Sequence, residues 1–146
     1  MELQPSKELK EFNLIFKEMD DLYHDIALKL GLSDSAFIIL YTICTIGDGC
    51  LQKDICNTAY ISKQTVNSSI KNLERSGILS LKAGKGRDMH IHLTPVGKKV
   101  LEEKIIPVIQ MENQVFAELS PKERQLLLEL TKKYMIQLRD KSEKLL

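Results

Sequence analysis

Apolar positions along this chain follow two periods, and the change from one to the other divides it. From Pro5 and Ser6 a helical pattern runs Leu9, Phe12, Ile15 or Phe16, Met19, Leu22 or Tyr23, Ile26, Leu30, and Gly31 stands where a glycine ends a helix. Ser33 caps a second segment, Phe37-Ile38-Ile39-Leu40-Tyr41-Thr42-Ile43-Cys44, whose near-continuous apolarity predicts a helix buried on most sides and stopping near Gly47-Asp48-Gly49. Two shorter helices follow, Leu51–Tyr60 and Ser62–Arg75, ended by Gly77. From Ile78 the period falls to two. Leu79 and Leu81 alternate with Ser80 and Lys82; Met89, Ile91 and Leu93 alternate with His90 and His92. Joined by Ala83-Gly84-Lys85-Gly86-Arg87-Asp88, these read as a two-stranded hairpin with one face on the core. Thr94-Pro95 then starts a helix running to about Leu119, with Pro107 expected to kink it. Ser120-Pro121-Lys122-Glu123 is a capping box for a last helix.

The helix from Ser62 carries its apolar residues only at Val66, Ile70 and Leu73, one narrow stripe. The rest of its surface, Lys63, Gln64, Thr65, Asn67, Ser68, Lys71, Asn72 and Arg75, is cationic, amide or hydroxyl, with Glu74 the one acid. These are the groups that bond phosphates and base edges. The expectation is a DNA-recognition helix. Base-edge and nearby phosphate contacts fall to Lys63, Gln64, Thr65, Asn67 and Ser68 at its N-terminal half beside Ser62, phosphate contacts to Lys53, Lys71 and Arg75, and minor-groove contacts to Arg87 with Lys85. Charge supports this. The whole chain carries +1, but residues 1–50 hold four Lys/Arg against nine Asp/Glu, residues 51–99 nine against three, and residues 100–146 eight of each. The positive field coincides with the helix pair and the hairpin.

Length predicts one domain, and the order of helical and alternating segments predicts a mainly α fold with a small β-wing, a winged helix-turn-helix over 33–99 flanked by long helices over 5–30 and 100–146. Leu126, Leu127, Leu130, Tyr134, Leu138 and Leu145 in the last helix, like the stripe of the first, have no evident home on a winged helix. Both are expected to pack against a second copy in a homodimer. With no apolar run of membrane-spanning length and no signal-peptide pattern, the reading is a cytoplasmic protein. No phosphate loop, nucleophile elbow or HExxH appears, so no enzyme and no cofactor is expected. Cys44, Cys50 and Cys56 lack zinc spacing; Cys44 and Cys56 read as packing residues, and Cys50, which follows Gly49 in a turn, reads as the most exposed of the three. With Lys53 and a helix start nearby, Cys50 is the candidate for a lowered thiol pKa and a redox role. His90-x-His92 and Asp20 with His24 have spacings that could hold a metal; a solvent-facing role without metal is the expectation for both.

The order of elements resembles the multiple antibiotic resistance regulator (MarR) family of bacterial transcription factors. Gln52-x-Asp54-Ile55, Ser62-x-x-Thr65-Val66, Ile70-x-x-Leu73-Glu74, Ser76-Gly77-Ile78-Leu79 and Leu93-Thr94-Pro95-x-Gly97-Lys98-x-x-Leu101 carry the resemblance. It implies a DNA-binding homodimer, a repressor on a pseudo-palindromic operator, responding to a small, often aromatic, acidic effector held between the dimer helices and the winged domain; no effector-binding residue is named by it. The sequence departs from the family at two places. The wing reads Lys85-Gly86-Arg87 where the family has Asp-x-Arg, leaving Asp88 as an alternative brace, and Tyr60 stands at a turn position often held by glycine. A winged helix serving protein–protein contact, an activator and a thiol-switched regulator remain as alternatives. Acidic or apolar residues on the exposed face of the second helix of the pair would favour the first of these, and that face is cationic and amide instead.

Overall fold

The computed structural model describes residues 3–145, which divide into two compact units, one up to Ile105 and one from Ile106. The first contains α1 (Lys7–Lys29), α2 (Asp34–Ile46), α3 (Gln52–Thr58), α4 (Lys63–Arg75), β1 (Leu79–Ala83), β2 (Met89–Leu93), α5 (Pro95–Val100) and a π-helical turn over Leu101–Ile105. The fold is mostly helical with one small antiparallel sheet, as the periodicity predicts.

Helix boundaries fall on the chemical signals. Ser6, Ser33, Ser62 and Thr94 each accept a backbone N–H from the first turn of α1, α2, α4 and α5. Gly31 (φ +72°) lets the chain turn back after α1, so that Leu32 N–H reaches the Ala27 carbonyl at 2.9 Å, and Lys104 Nζ bonds the Leu30 carbonyl at 2.7 Å. The core of this unit is built on α2, whose Ile39, Leu40 and Ile43 are buried together with Ile55 of α3, Val66, Ile70 and Leu73 of α4, Leu79, Ile91 and Ile105. Removing each such side chain from water contributes ~1.5–3 kcal/mol.

The strands pair Leu79 with Leu93, Leu81 with Ile91 and Ala83 with Met89. The hairpin does not stand alone. Gly49 N–H bonds the Ile91 carbonyl (2.8 Å), Ile91 N–H bonds the Cys50 carbonyl (2.7 Å), and Leu51 bridges His90, so residues 49–51 form a third edge beside β2. Asp48 Oδ1 accepts the Leu93 N–H at 2.7 Å. Where β2 leads into α5, Gly97 passes so close to β1 that a Cβ there would lie 2.1 Å from the Ile78 carbonyl oxygen.

The second unit holds α6 (Ile106–Glu118) and α7 (Pro121–Leu145). Pro107 lies in the first turn of α6, where its missing N–H costs least, and the disturbance expected at Pro107 is taken up by the π-helical turn before it. The capping box is complete: Glu123 N–H reaches Ser120 Oγ at 3.1 Å and Ser120 N–H reaches Glu123 Oε1 at 2.8 Å. No described residue of α7 is buried, and Leu126, Leu130, Ile136 and Leu138 are each more than half exposed. In the first unit Phe12, Ile15, Phe16, Met19 and Leu22 of α1 are exposed likewise. Among the described residues no single helix is long and apolar enough to cross a membrane.

Candidate nucleic-acid interface

The stripe Val66, Ile70 and Leu73 seats α4 against the core, and Ser69 joins it. Ser69 is polar yet buried. It is buried because its hydroxyl accepts from Ser35 of α2 at 3.1 Å, which makes a polar residue acceptable at the helix–helix contact. Opposite the stripe, Gln64, Ser68, Lys71 and Arg75 lie one turn apart along an exposed ridge. Lys63 and Asn67 flank it toward α3; Thr65 and Asn72 flank it toward α2. Ser62 is occupied in the cap and its hydroxyl lies 2.9 Å from that of Thr65. Arg75 bonds the side chain of Asn72 at 3.4 Å. Seven of the candidates on this segment are exposed, and Asn67 is half-buried.

The partner of Asn67 is Gln52, in the first turn of α3, whose Nε2 donates to Asn67 Oδ1. Its neighbour Lys53 turns toward the wing, with Nζ 3.7 Å from Asp88 Oδ1. The acid following Arg87 therefore braces α3 and not the arginine, while Lys85 and Arg87 stay exposed on a tip closed by bonds between Gly84 N–H and the Asp88 carbonyl (2.8 Å) and Asp88 N–H and the Lys85 carbonyl (3.1 Å). In the turn between α3 and α4 Tyr60 is 97% exposed, and no non-glycine residue among those described has positive φ, so this turn has no need of the family's glycine.

Two expectations are corrected. Cys50 is half-buried, its carbonyl engaged by β2. Burial pushes its thiol pKa up, and the Asp54 carboxylate pushes the same way, so the thiolate that a redox role needs is disfavoured. The cation counted on to lower it, Lys53, faces Asp88. The two wing histidines do not face open solvent: His90 Nδ1 lies 3.0 Å from the Gly49 carbonyl, and His92 packs on Gly49. His24 is exposed, and its Nδ1 lies 2.9 Å from Asp34 Oδ2 across the α1–α2 turn. Sequence reasoning also missed a shallow cleft between the start of α2 and the flank of α4, lined by Ser33, Ser35, Thr65, Ser68, Asn72 and Ser76 among others. Polar residues scattered over 44 positions carry no periodic signal that could have found it.

What this arrangement can do chemically is narrow. It offers cations, amides and hydroxyls on a protruding helix and on a tip beside it, and no cluster of described histidines, cysteines or carboxylates that could hold a metal. Comparison with known proteins agrees with the geometry. Residues 30–87 match the sequence model of the MarR family. No curated protein matches the chain. Among solved structures, the chain is similar to NMB1585, a MarR family regulator from Neisseria meningitidis (TM-score 0.78, 22% identity, covering 95% of this chain and 99% of that one). It is also similar to the Staphylococcus aureus MepR of a MepR–DNA complex (0.71, 22%, 92% and 99%). A third is Bordetella bronchiseptica BpsR, whose DNA binding is regulated by 6-hydroxynicotinic acid (0.65, 21%, 86% and 98%). Residues 30–87 are thus similar in sequence to the MarR family, and nearly the whole chain shares the winged helix-turn-helix fold of these structures.

Proposed function

We propose that this protein is a sequence-specific regulator of transcription, a homodimeric repressor that binds double-stranded DNA. The observation that carries the reading is the exposed ridge Gln64, Ser68, Lys71 and Arg75, flanked by Lys63, Asn67 and Thr65, on a helix whose opposite face is buried. Such a helix fits a major groove, with Gln64, Asn67, Lys63, Thr65 and Ser68 nearest base edges and Lys71, Arg75 and Ser62 nearest phosphates. Lys85 and Arg87 project from the adjacent tip and reach the flanking minor groove, where a narrow A·T-rich stretch attracts arginine. Lys53 remains a phosphate contact if it exchanges Asp88 for DNA.

The exposed apolar faces of α1 and of α7 support a homodimer, since an apolar area of this extent on a lone chain is otherwise an aggregation hazard. Two-fold symmetry then requires a pseudo-palindromic site with half-sites ~10 base pairs apart or a multiple. A small aromatic acid as effector is supported by the regulation of BpsR, and a regulator of this kind works in the cytoplasm. Footprinting on DNA upstream of its own gene tests the function: protection of a pseudo-palindrome is the expected result, and salt-dependent coating without a footprint would refute it. Sedimentation tests the dimer. Deleting residues 121–146 should leave an aggregating or unfolded product, because an obligate dimer often has no stable monomer, and a soluble folded monomer would count against it.

A further inference from the structure

The bond between Gln52 and Asn67 has a direction. Gln52 Nε2 donates to Asn67 Oδ1, so the Asn67 carbonyl oxygen is turned toward α3 with one of its two lone pairs engaged, while the two hydrogens of Nδ2 take no part in this bond and are left for the groove. An asparagine that reads adenine in the usual way needs both amide atoms, accepting from N6 and donating to N7. This one has its oxygen held toward α3, so its donors are the atoms best placed for a base. Both partners are half-buried, each on a helix anchored in the core through Ile55 and Val66, so the pair is set before any ligand arrives.

We infer that Gln52 is a positioning residue that fixes the polarity of Asn67, making it select an acceptor edge, guanine O6 and N7 or thymine O4, in place of adenine. This rests on the DNA reading above and deepens it by naming what one residue reads. Gln52 acts through Asn67 and touches no base itself.

Selection of bound duplexes from a randomised pool by the full-length protein tests it, with circular dichroism to confirm that each variant folds. Asn67→Ala identifies the base position concerned, as the one whose preference it erases. At that position the wild type is expected to enrich guanine or thymine. Gln52→Ala frees Oδ1 and should raise adenine there by roughly five-fold or more, the lower end for a good bidentate contact, with other positions unchanged. Gln52→Glu carries a carboxylate that can only accept; it turns the amide round, exposes Oδ1 and should favour bases with an amino group, adenine or cytosine. A wild type that already selects adenine overturns the inference. So does an Asn67→Ala variant that erases no position, or a Gln52 pair of variants that lose affinity evenly without moving the preference. A wild type that enriches no sequence refutes the DNA reading itself, a result distinct from all of these.

Discussion

Lys53 of α3 and Asp88 of the wing lie 3.7 Å apart, Nζ to Oδ1, joining the base of the helix pair to the far end of the hairpin. Both side chains are substantially exposed, so the pair contributes under ~1 kcal/mol. Its electrostatic effect on a polyanion is larger than its effect on folding. Asp88→Ala removes a negative charge beside the wing and releases Lys53 toward phosphate. The expected outcome is tighter DNA binding at low salt, with the slope of log K against log salt steeper by up to about 0.9 for one added phosphate contact. Titrations at several salt concentrations check this; weaker binding at every salt would show that the brace matters more than the charge. Lys85→Asp should weaken low-salt binding, and Arg87→Ala should weaken it further.

The ridge on α4 should separate by kind of contact. Gln64→Ala is expected to change the ranking among base sequences, at ~1–3 kcal/mol for a bidentate contact. Lys71→Ala should weaken all sequences alike and lower the salt slope by about one. Competition binding against a panel of single-base variants distinguishes the two, and uniform loss in both would mean that the helix lies in the groove by another face.

Cys50 should react slowly with iodoacetamide at neutral pH, since burial and Asp54 both hold its thiol above the ordinary range. Asp54→Asn removes one of these causes, so the thiolate fraction at a given pH should rise and alkylation speed up. Peptide mapping by mass spectrometry separates Cys50 from Cys44 and Cys56. A wild-type Cys50 that outpaces free cysteine would return the redox-switch alternative to contention.

At the start of α7 the Ser120 N–H, bonded to the Glu123 carboxylate, holds its pKa below the ordinary value. A carboxyl with a depressed folded pKa contributes stability that is present above its unfolded value of about 4.3. That contribution is lost as pH falls through the lower, folded value. Protection of the amides at residues 120–124, corrected for the intrinsic pH dependence of exchange, should therefore fall in acid, and Glu123→Gln should flatten that dependence. Separately, Ser120→Ala removes a helix cap, a change that typically costs ~1 kcal/mol, and denaturant unfolding measures it. Protection that does not change with pH in the wild type would mean that the bond is not held in solution.

Much of the fold was legible because local chemistry and tertiary packing ask for the same thing. Ser62 caps and Val66, Ile70 and Leu73 bury, so α4 begins and faces as its sequence says; Leu79 and Ile91 do the same for the strands. What escaped depends on partners distant in sequence. Residues 49–51 are too short and too glycine-rich to read as a strand, and only β2, some 40 residues on, makes them one. His90 looked solvent-facing because alternation assigns it to the polar side, yet the Gly49 carbonyl closes over it. The candidate reading residues were visible by type, whereas the engagement of Asn67 by Gln52 was not, since nothing in two amides fifteen positions apart fixes which atom meets which.

Gly49 to Lys53 are consecutive residues, and within them the chain is edge strand to β2, first turn of α3, partner of the reading helix and anchor of the wing. There is no linker between these roles. The separation between helix and wing is set by this single peptide, as the jaws of a caliper are set by its frame. On the reading proposed above, the spacing of helix and wing within one subunit is set through residues 49–51 before a duplex arrives, so adaptation falls first to the DNA. Operators should then differ in affinity at base pairs that no side chain reaches, according to how easily their steps deform to bring one major and one minor groove to the fixed spacing.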